Sequence, residues 1–433
     1  MRATRIQTLK FSDIYRYRWA LALSAVLIVT ALFPLPALVD LARPGNAVGA
    51  ALERSVGYEL IAPASNVLDA LTLLSPAQYL ALFALCALVF LVWLCKTTRA
   101  WPTRARLFLR FVGGTVAIIG TMLVANRPMA ALKLADPNEL AVDFHSHTSA
   151  SHDGRAGFDA ERNRSWHSTA GFNVAYVTDH RTFDGAVRGM QRNPARAGDG
   201  TLLLPGVELR EGDEHPILIG VDPARMRITS PDWKEAAVEA DGGPAPPILL
   251  LSLPGNIRRI PPNMMTGKVK IAGVEISDGC PRGIAQSQQA RDSIIALADK
   301  LRLAVVSASD NHGWGRAAPA WSVMRIPGWR QMSPSEIDVA IRRAILEAGP
   351  GSVRVVARRT ADTQGQVSTA FGGLMVATVM FRTMDLSDRV SWAAWCWSIE
   401  LLLAGLGRRQ RRWRIRVVQR AVRRRRLTVS AAA

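Results

Sequence analysis

Cysteine is scarce in this sequence. Its 433 residues contain four, Cys86, Cys95, Cys280 and Cys396, three of them in apolar stretches. None falls at a zinc-knuckle spacing and no disulfide framework is visible, so both are excluded and the redox compartment stays open. Cys280, alone in the polar middle of the chain (SDGCPRG), is taken as structural or incidental. Acid is short as well, with 35 Asp+Glu against 54 Lys+Arg, yet 49% of the residues are hydrophobic. No internal repeat is apparent.

A basic balance alone suggests nucleic acid or an anionic membrane surface. The position of the charge separates the two. Arg408 to Arg426 (RRQRRWRIRVVQRAVRRRR) holds 11 arginines and no acid, more than half of the net charge of +19, and directly follows an apolar stretch. Such a cluster points to anionic lipid on the cytoplasmic side and disfavours nucleic acid as a partner.

Three apolar runs occupy the first third: Trp19 to Val39, Tyr79 to Leu94 and about Phe108 to Ala125. A bilayer core takes ~20 apolar residues as a helix, so each run with its flanks reads as a membrane span. The first is too long for a signal peptide, and no cleavage site precedes an evident mature start. Arg2, Arg5, Lys10, Arg16 and Arg18 favour a cytoplasmic N-terminus, and Lys96, Arg99, Arg104, Arg106 and Arg110 a cytoplasmic second loop. Three crossings then put the segment after Met129 outside, which predicts a multi-pass inner-membrane protein with a periplasmic middle domain. Phe371 to Phe381 and Trp392 to Leu406 form a shorter apolar region, read as one crossing plus an interfacial or re-entrant piece. The expected domains are therefore a membrane region (1–137), a middle domain (138–358), a C-terminal membrane segment (359–407) and an arginine-rich tail (408–433).

The middle domain reads as α/β. Short apolar runs (ELAVDF, NVAYVT, LLLPGVEL, ILIGV, ILLLS, IAGVEI, LAVVSAS) alternate with helix-like stretches such as Gln286 to Lys300 and Ser335 to Ala348. Repeated strand–helix units imply a mostly parallel sheet or a barrel, with chemistry at the C-terminal strand ends. Polar residues sit at those ends. His145 and His147 (DFHSHTSASHDG) are at i and i+2, which puts both imidazoles on one face of a strand. Further runs end in Thr178-Asp179-His180, Gly206-Val207-Glu208 and Asp310-Asn311-His312, and His215 opens another. Six of the seven histidines lie at or beside such ends, where a scatter over helix surfaces would be the ordinary expectation. This coincidence favours a metal site.

With these motifs in order, the chain resembles the polymerase and histidinol phosphatase (PHP) family. That family's pattern runs H-x-H-T, S-x-D-G or S-D-G, T-D-H, G-x-E, a further histidine, H-P-G and D-x-H. The match covers about Asn138 to Arg358 and six elements. The resemblance implies a distorted (β/α)7 TIM-like barrel, here flanked by transmembrane helices, and two or three divalent ions (Zn, Mn or Fe). It assigns His145, His147, Glu208 and Asp310 to one ion. Glu208, bridging, and His215 serve a second, and Asp153, His180 and His312 a third. One element departs: Leu253-Pro254-Gly255 stands where the family has H-P-G, and leucine cannot ligate, so the second ion loses a protein ligand. His152 and His167 are spare histidines, read as loop or helix-surface residues.

The activity so implied is phosphoester hydrolysis, in which water between two ions loses its proton near neutral pH and attacks phosphorus. Arg181, directly after T-D-H, is the best-placed phosphate clamp, with Arg258 and Arg316 as further options. Asp143 is positioned to orient an imidazole; Asp179 does the same or caps a turn; Glu275 could line the pocket. Two other classes remain open: a sensor or scaffold whose degenerate barrel binds without turnover, favoured by Leu253, and a nuclease-like module, disfavoured because the charge lies outside the barrel.

Overall fold

Among the described residues of a computed structural model there are thirteen strands with helices between them. It describes residues 17–43, 45–97, 100–124, 127–210, 215–224, 244–252, 269–361, 371–406 and 413. Arg2, Arg5, Lys10, Arg16, Arg99, Leu253-Pro254-Gly255, Arg258 and the arginines of the tail lie outside the described residues.

The strands are β1 (Leu38–Asp40), β2 (Gly45–Asn46), β3 (Ala50–Glu53), β4 (Ala131–Leu134), β5 (Glu139–Ser146), β6 (Val174–Val177), β7 (Leu202–Glu208), β8 (His215–Ile219), β9 (Ile248–Ser252), β10 (Ile271–Ser277), β11 (Ala304–Ser307), β12 (Ala320–Arg325) and β13 (Val353–Arg358). Eleven form one sheet in the order β11-β10-β9-β8-β7-β6-β5-β12-β13-β1-β2, while β3 pairs with β4. β5, β6 and β7 run parallel, as do β9, β10 and β11; β8 is antiparallel to both of its neighbours. The segment after β11 returns to the end of β5 through a parallel bridge, Ser146 to Asn311, with Asp310 N–H donating to His145 O at 2.9 Å. Seven strands, β5 to β11, thus curl into a ring that closes at one end. At the other end β5 pairs with β12 instead, antiparallel, which pulls the ring open there.

Burial on both faces explains why the strands read as apolar runs and not as alternation. Ile217, Ile219, Ile248 and Leu250 join one core cluster, which the helix Pro334–Ala348 covers with Ile337, Ile341 and Ile345. Leu218, Leu249 and Leu251 join the other, which Ile294 and Ala298 of the helix Gln288–Leu301 complete. Both helices begin where their sequence says they should. Ser287 caps one, and Ser333 with Glu336 forms a capping box on the other behind Pro334; such a cap contributes about 1 kcal/mol.

The membrane expectation needs correction. Among the described residues one helix, Pro76–Thr97, is long and apolar enough to cross a bilayer. Arg18–Leu32 has 15 residues, ends before Pro34 and Pro36, and at ~1.5 Å per residue falls short of a ~30 Å core. Trp101–Val124 has 24 residues, but Arg104, Arg106 and Arg110 charge its first half. Flanking transmembrane helices in the plural are therefore not supported.

The chain separates into two compact units. Met1–Pro34, Glu59–Pro63 and Met384–Ala433 form the smaller, in which Arg389 donates to Leu27 O and Trp397 Nε1 to Ser24 Oγ. Leu35–Tyr58 and Ala64–Thr383 form the larger, which holds every strand.

Candidate metal centre

Strand periodicity sets the first part of the site. In β5 the side chain of Phe144 turns into the core and stacks on Tyr176, so Asp143, His145 and His147 share the other face. His145 Nε2 and His147 Nε2 lie 2.9 Å apart. Glu208, the last residue of β7, brings Oε2 to 3.0 Å from the first and 3.1 Å from the second. Asp310 follows β11 in a left-handed conformation (φ 44°) and brings Oδ1 to 3.5 and 3.3 Å from the same two nitrogens. Holding a β-carbon residue in that region costs backbone energy, which the surrounding bonds must offset.

These four atoms fit a cation. Ligands ~2.1 Å from a tetrahedral ion lie about 3.4 Å apart, close to the spacing here. Two imidazole lone pairs and two carboxylates converging on one point would repel unless a proton or metal stood between them. Burial pushes the His145 imidazole down, but the carboxylates of Glu275, Asp310 and Glu208 outweigh it and hold its pKa well above the usual value. Burial also lowers His147, and bonds to Asp310 and Glu208 raise it to about 9. Burial raises Glu208, yet His145 and the other imidazoles around it keep it well below the ordinary carboxylate range.

Two further clusters adjoin the first. Glu208 Oε1 is 2.6 Å from His215 Nδ1, and its Oε2 is 3.3 Å from His180 Nδ1. Asp153 Oδ2 is 3.3 Å from His180 Nε2 and 3.2 Å from His312 Nε2. The His147 and His312 rings stack at 3.9 Å. His147 Nδ1 and His312 Nε2 are buried with no hydrogen bond among the described residues, as groups awaiting another partner are. Burial, then the charge of His147, lowers the pKa of His312; burial likewise takes His180 to about 4, so both imidazoles are neutral at neutral pH. The base of the site is closed, with His145, His147 and Glu208 under 5% exposed, and it opens past His180, His215 and Asp153.

All eight expected ligands, His145, His147, Asp153, His180, Glu208, His215, Asp310 and His312, thus meet in one cluster. The two residues expected to be catalytic do not join it in that role. Asp143 is fully buried; Oδ1 accepts from the backbone N–H of His145 (3.2 Å) and Ser309 (2.9 Å), and Oδ2 lies 2.7 Å from His167 Nε2. It orients an imidazole, but that of His167, and it ties two ligand-bearing strand ends together. Arg181 is exposed in a left-handed turn (φ 58°) and makes no ion pair with a described carboxylate. Asp179 accepts from Thr148 N–H (2.6 Å) and Oγ1 (2.7 Å), bracing the loop that leads to Asp153.

Two residues do more than the sequence reading gave them, Glu275 having been expected only to line the pocket. Glu275, buried at the end of β10, places Oε1 3.0 Å from His145 Nδ1. Its position at the C-terminal end of an apolar strand, like the ligands, was the available signal. His167 was expected on a helix surface and is fully buried. His152 is exposed beside Asp153, with Nδ1 4.0 Å from Asp153 Oδ1. Asp278, Cys280 and Asp310 form a further group at ligand spacing. Burial, with the charges of Asp310 and Glu275, keeps the Asp278 carboxyl raised, and burial keeps the Cys280 thiol raised.

No family model and no curated protein matches the chain. Among solved structures it is similar to PsfC from Pseudomonas syringae, at 16% identity over 57% of this chain and 100% of that one, with a TM-score of 0.34. A two-domain protein from Bacteroides vulgatus, whose description contains a predicted PHP-like metal-dependent phosphoesterase, is 17% identical over 47% of this chain and 63% of its own, with a TM-score of 0.32. The lesion-specific endonuclease PfuEndoQ from Pyrococcus furiosus is 13% identical over 50% and 57%, with a TM-score of 0.34. Likeness at this level says nothing of what this chain binds or turns over.

Proposed function

We propose that the chain is a membrane-held, metal-dependent phosphoesterase. The observation that carries this reading is the convergence of Glu208 Oε2 and Asp310 Oδ1 on His145 Nε2 and His147 Nε2, the two nitrogens 2.9 Å apart and each oxygen 3.0 to 3.5 Å from both. His145, His147, Glu208 and Asp310 would hold one divalent ion, Glu208 and His215 a second, and Asp153, His180 and His312 a third. Zn, Mn and Fe all suit this mixture of imidazole and carboxylate. Ions bound there supply Lewis acidity and a water of lowered pKa.

The protein's own groups do the rest. Glu208 turns Oε2 to His145 and His147 and Oε1 to His215, so one carboxylate would serve two ion positions. Glu275 fixes the His145 ring and leaves its Nε2 lone pair facing the cluster. The buried base excludes bulk water, and the open side past Asp153 and His215 admits a phosphorylated substrate. Half-buried Arg155 and Arg316 follow Asp153 and His312 and provide positive charge for the phosphoryl group.

The helix Pro76–Thr97 exposes Leu80, Phe83, Leu88, Val89 and Trp93, an apolar surface suited to lipid. The basic residues following it favour the cytoplasm at that end, and a metal domain on the outer face of an inner membrane would require a second crossing, against which Arg104, Arg106 and Arg110 of Trp101–Val124 weigh. The arginine-rich tail would then grip anionic lipid. Protease added to spheroplasts tests the side: an outer domain is cut without lysis, a cytoplasmic one is not.

The activity test uses the full chain in detergent, purified without chelator. Two or three ions by elemental analysis, with hydrolysis of p-nitrophenyl or bis-p-nitrophenyl phosphate lost in His145→Ala, support the enzyme. Retained metal without turnover selects the second reading, a binding module, which Leu253 favours. No metal at all refutes the site.

A further inference from the structure

Trp314 stands out among the described residues of the ring. Phe144, Phe158, Phe172, Phe183, Trp166, Trp321, Trp329 and Tyr176 are all buried, whereas Trp314 is 48% exposed. It lies two residues after His312, on a loop with little freedom. Asn311 Oδ1 accepts from the N–H of both Gly313 and Gly315 at 2.9 Å, and Trp166 Nε1 donates to Gly315 O at 2.9 Å. Gly313 takes a left-handed φ of 89°, and a β-carbon there would meet Phe158 at 2.6 Å, so the chain can pass in this way only as glycine.

The partner of Trp314 comes from the other loop at the mouth. Arg155, two residues after Asp153, sets its guanidinium over the indole at 5.0 Å from the ring centroid, within cation–π range. Its Nη1 donates to Gly313 O (3.3 Å) and its N–H to His312 O (2.8 Å). The same two loops meet where His312 and Asp153 approach each other at 3.2 Å. One indole face is therefore covered by a cation, and the ring, 48% exposed, stands two residues after His312 at the mouth of the site. A rigid, half-exposed aromatic ring at the rim of a polar site is a stacking platform; fixing it in advance removes the ordering cost that a flexible loop would carry.

We propose that Trp314, clamped by Arg155, is a subsite that stacks a flat ring on the alcohol side of the ester, so that the site prefers ring-bearing phosphomonoesters to aliphatic ones. This rests on the phosphoesterase reading above. Half-buried Arg316, two residues after Trp314, adds positive charge suited to an anionic ester.

The test uses the full chain in detergent, with metal content measured in every variant. With 2-naphthyl phosphate, Trp314→Ala is expected to raise KM about ten-fold with kcat little changed, while Trp314→Phe stays within about three-fold of wild type. With glycerol 3-phosphate neither variant moves KM. An equal shift for both esters, no shift for either, or loss of metal in Trp314→Phe overturns the subsite. Binding of non-hydrolysable 2-naphthylmethylphosphonate, followed by its own fluorescence polarisation, separates the two readings. If wild type turns over no ester, the enzyme reading fails. A Kd about ten-fold weaker in Trp314→Ala still supports the platform, and an unchanged Kd overturns it, which includes the case where Trp314 serves only to touch lipid.

Discussion

Glu275 Oε1 lies 3.0 Å from His145 Nδ1, both groups fully shielded from solvent. The carboxylate holds the proton on Nδ1 and so presents the Nε2 lone pair to Glu208, Asp310 and His147. It also makes that lone pair more basic, because negative charge behind a ring favours positive charge in front of it. Partners of this kind contribute roughly 10- to 100-fold in metal affinity. Glu275→Ala should therefore weaken the tightest metal site by about that factor in a chelator competition. Glu275→Gln, whose amide oxygen can still accept, should lose less. Equal affinities in all three proteins would remove Glu275 from the site.

The α/β class and most of the candidate cluster were legible because both follow short-range rules. Apolar runs of strand length end in His145, His180, Glu208 and Asp310, and i, i+2 spacing places His145 and His147 together whatever the tertiary structure. Glu275 was not legible in the same way, since its partner is 130 residues distant and no local pattern joins them. His167 misled for another reason. Its helix buries Ala160, Asn163, Trp166, His167 and Ala170, a helical stripe containing two polar residues that a hydrophobicity count assigns to solvent. Asp143 supplies the charge that makes this burial possible. The reversal of β8 was likewise invisible, because a strand buried on both faces reads the same in either direction. Hydropathy located the first apolar run, but Pro34 and Pro36 decided how much of it could be helix.

Asp69 anchors a second buried charge cluster, remote in chain position from the ligands. It accepts from Arg358 Nη1 (3.0 Å), Tyr58 Oη (3.0 Å) and Arg127, all well shielded from water. Arg358 ends β13 and also bonds Ala318 O, so the acid joins the helix Ala62–Thr72 to the end of that strand. Asp69→Ala leaves two guanidiniums buried without their counter-charge, a loss of about 3–5 kcal/mol. The expected fall in Tm is roughly 10 °C, with metal content at low temperature unchanged. A Tm within a degree of wild type would show that water already reaches these arginines.

Gly185 allows the helix Asp184–Met190 to approach the loop brace between Thr148 and Asp179. A β-carbon there would fall 2.1 Å from Asp179 Oδ2 and 2.3 Å from Thr148 Oγ1. Gly185→Ala must push the helix away or break the brace, at about 1–3 kcal/mol. Because the brace sits between the loop carrying Asp153 and the strand end carrying His180, the third ion should be the one lost. Elemental analysis should show one ion fewer while the ion at His145 and His147 stays. Gly351→Ala, where a β-carbon meets nothing within 4 Å, serves as the control.

Removing metal should make stability depend on pH in a direction the site dictates. In the metal-free protein His147 is raised from 6.5 to about 9, and His145 is raised as well, by the carboxylates around them. A group whose folded pKa exceeds its unfolded value adds stability in full below the unfolded value, and loses it as pH rises through the folded one. Glu208 and Asp310 are lowered, so their share is present above about pH 4 and lost on further acidification. Chelated protein should then be most stable near pH 5–6.5 and lose roughly 5–10 °C of Tm by pH 9.5. Metal-loaded protein should lose far less over that range, because ions replace the protons between the same side chains and favour their deprotonated forms. The gap between the two Tm curves should therefore widen with pH. His147→Ala under chelator should flatten the alkaline limb; if its curve instead overlays that of chelated wild type, the protons on this cluster are not what links folding to pH.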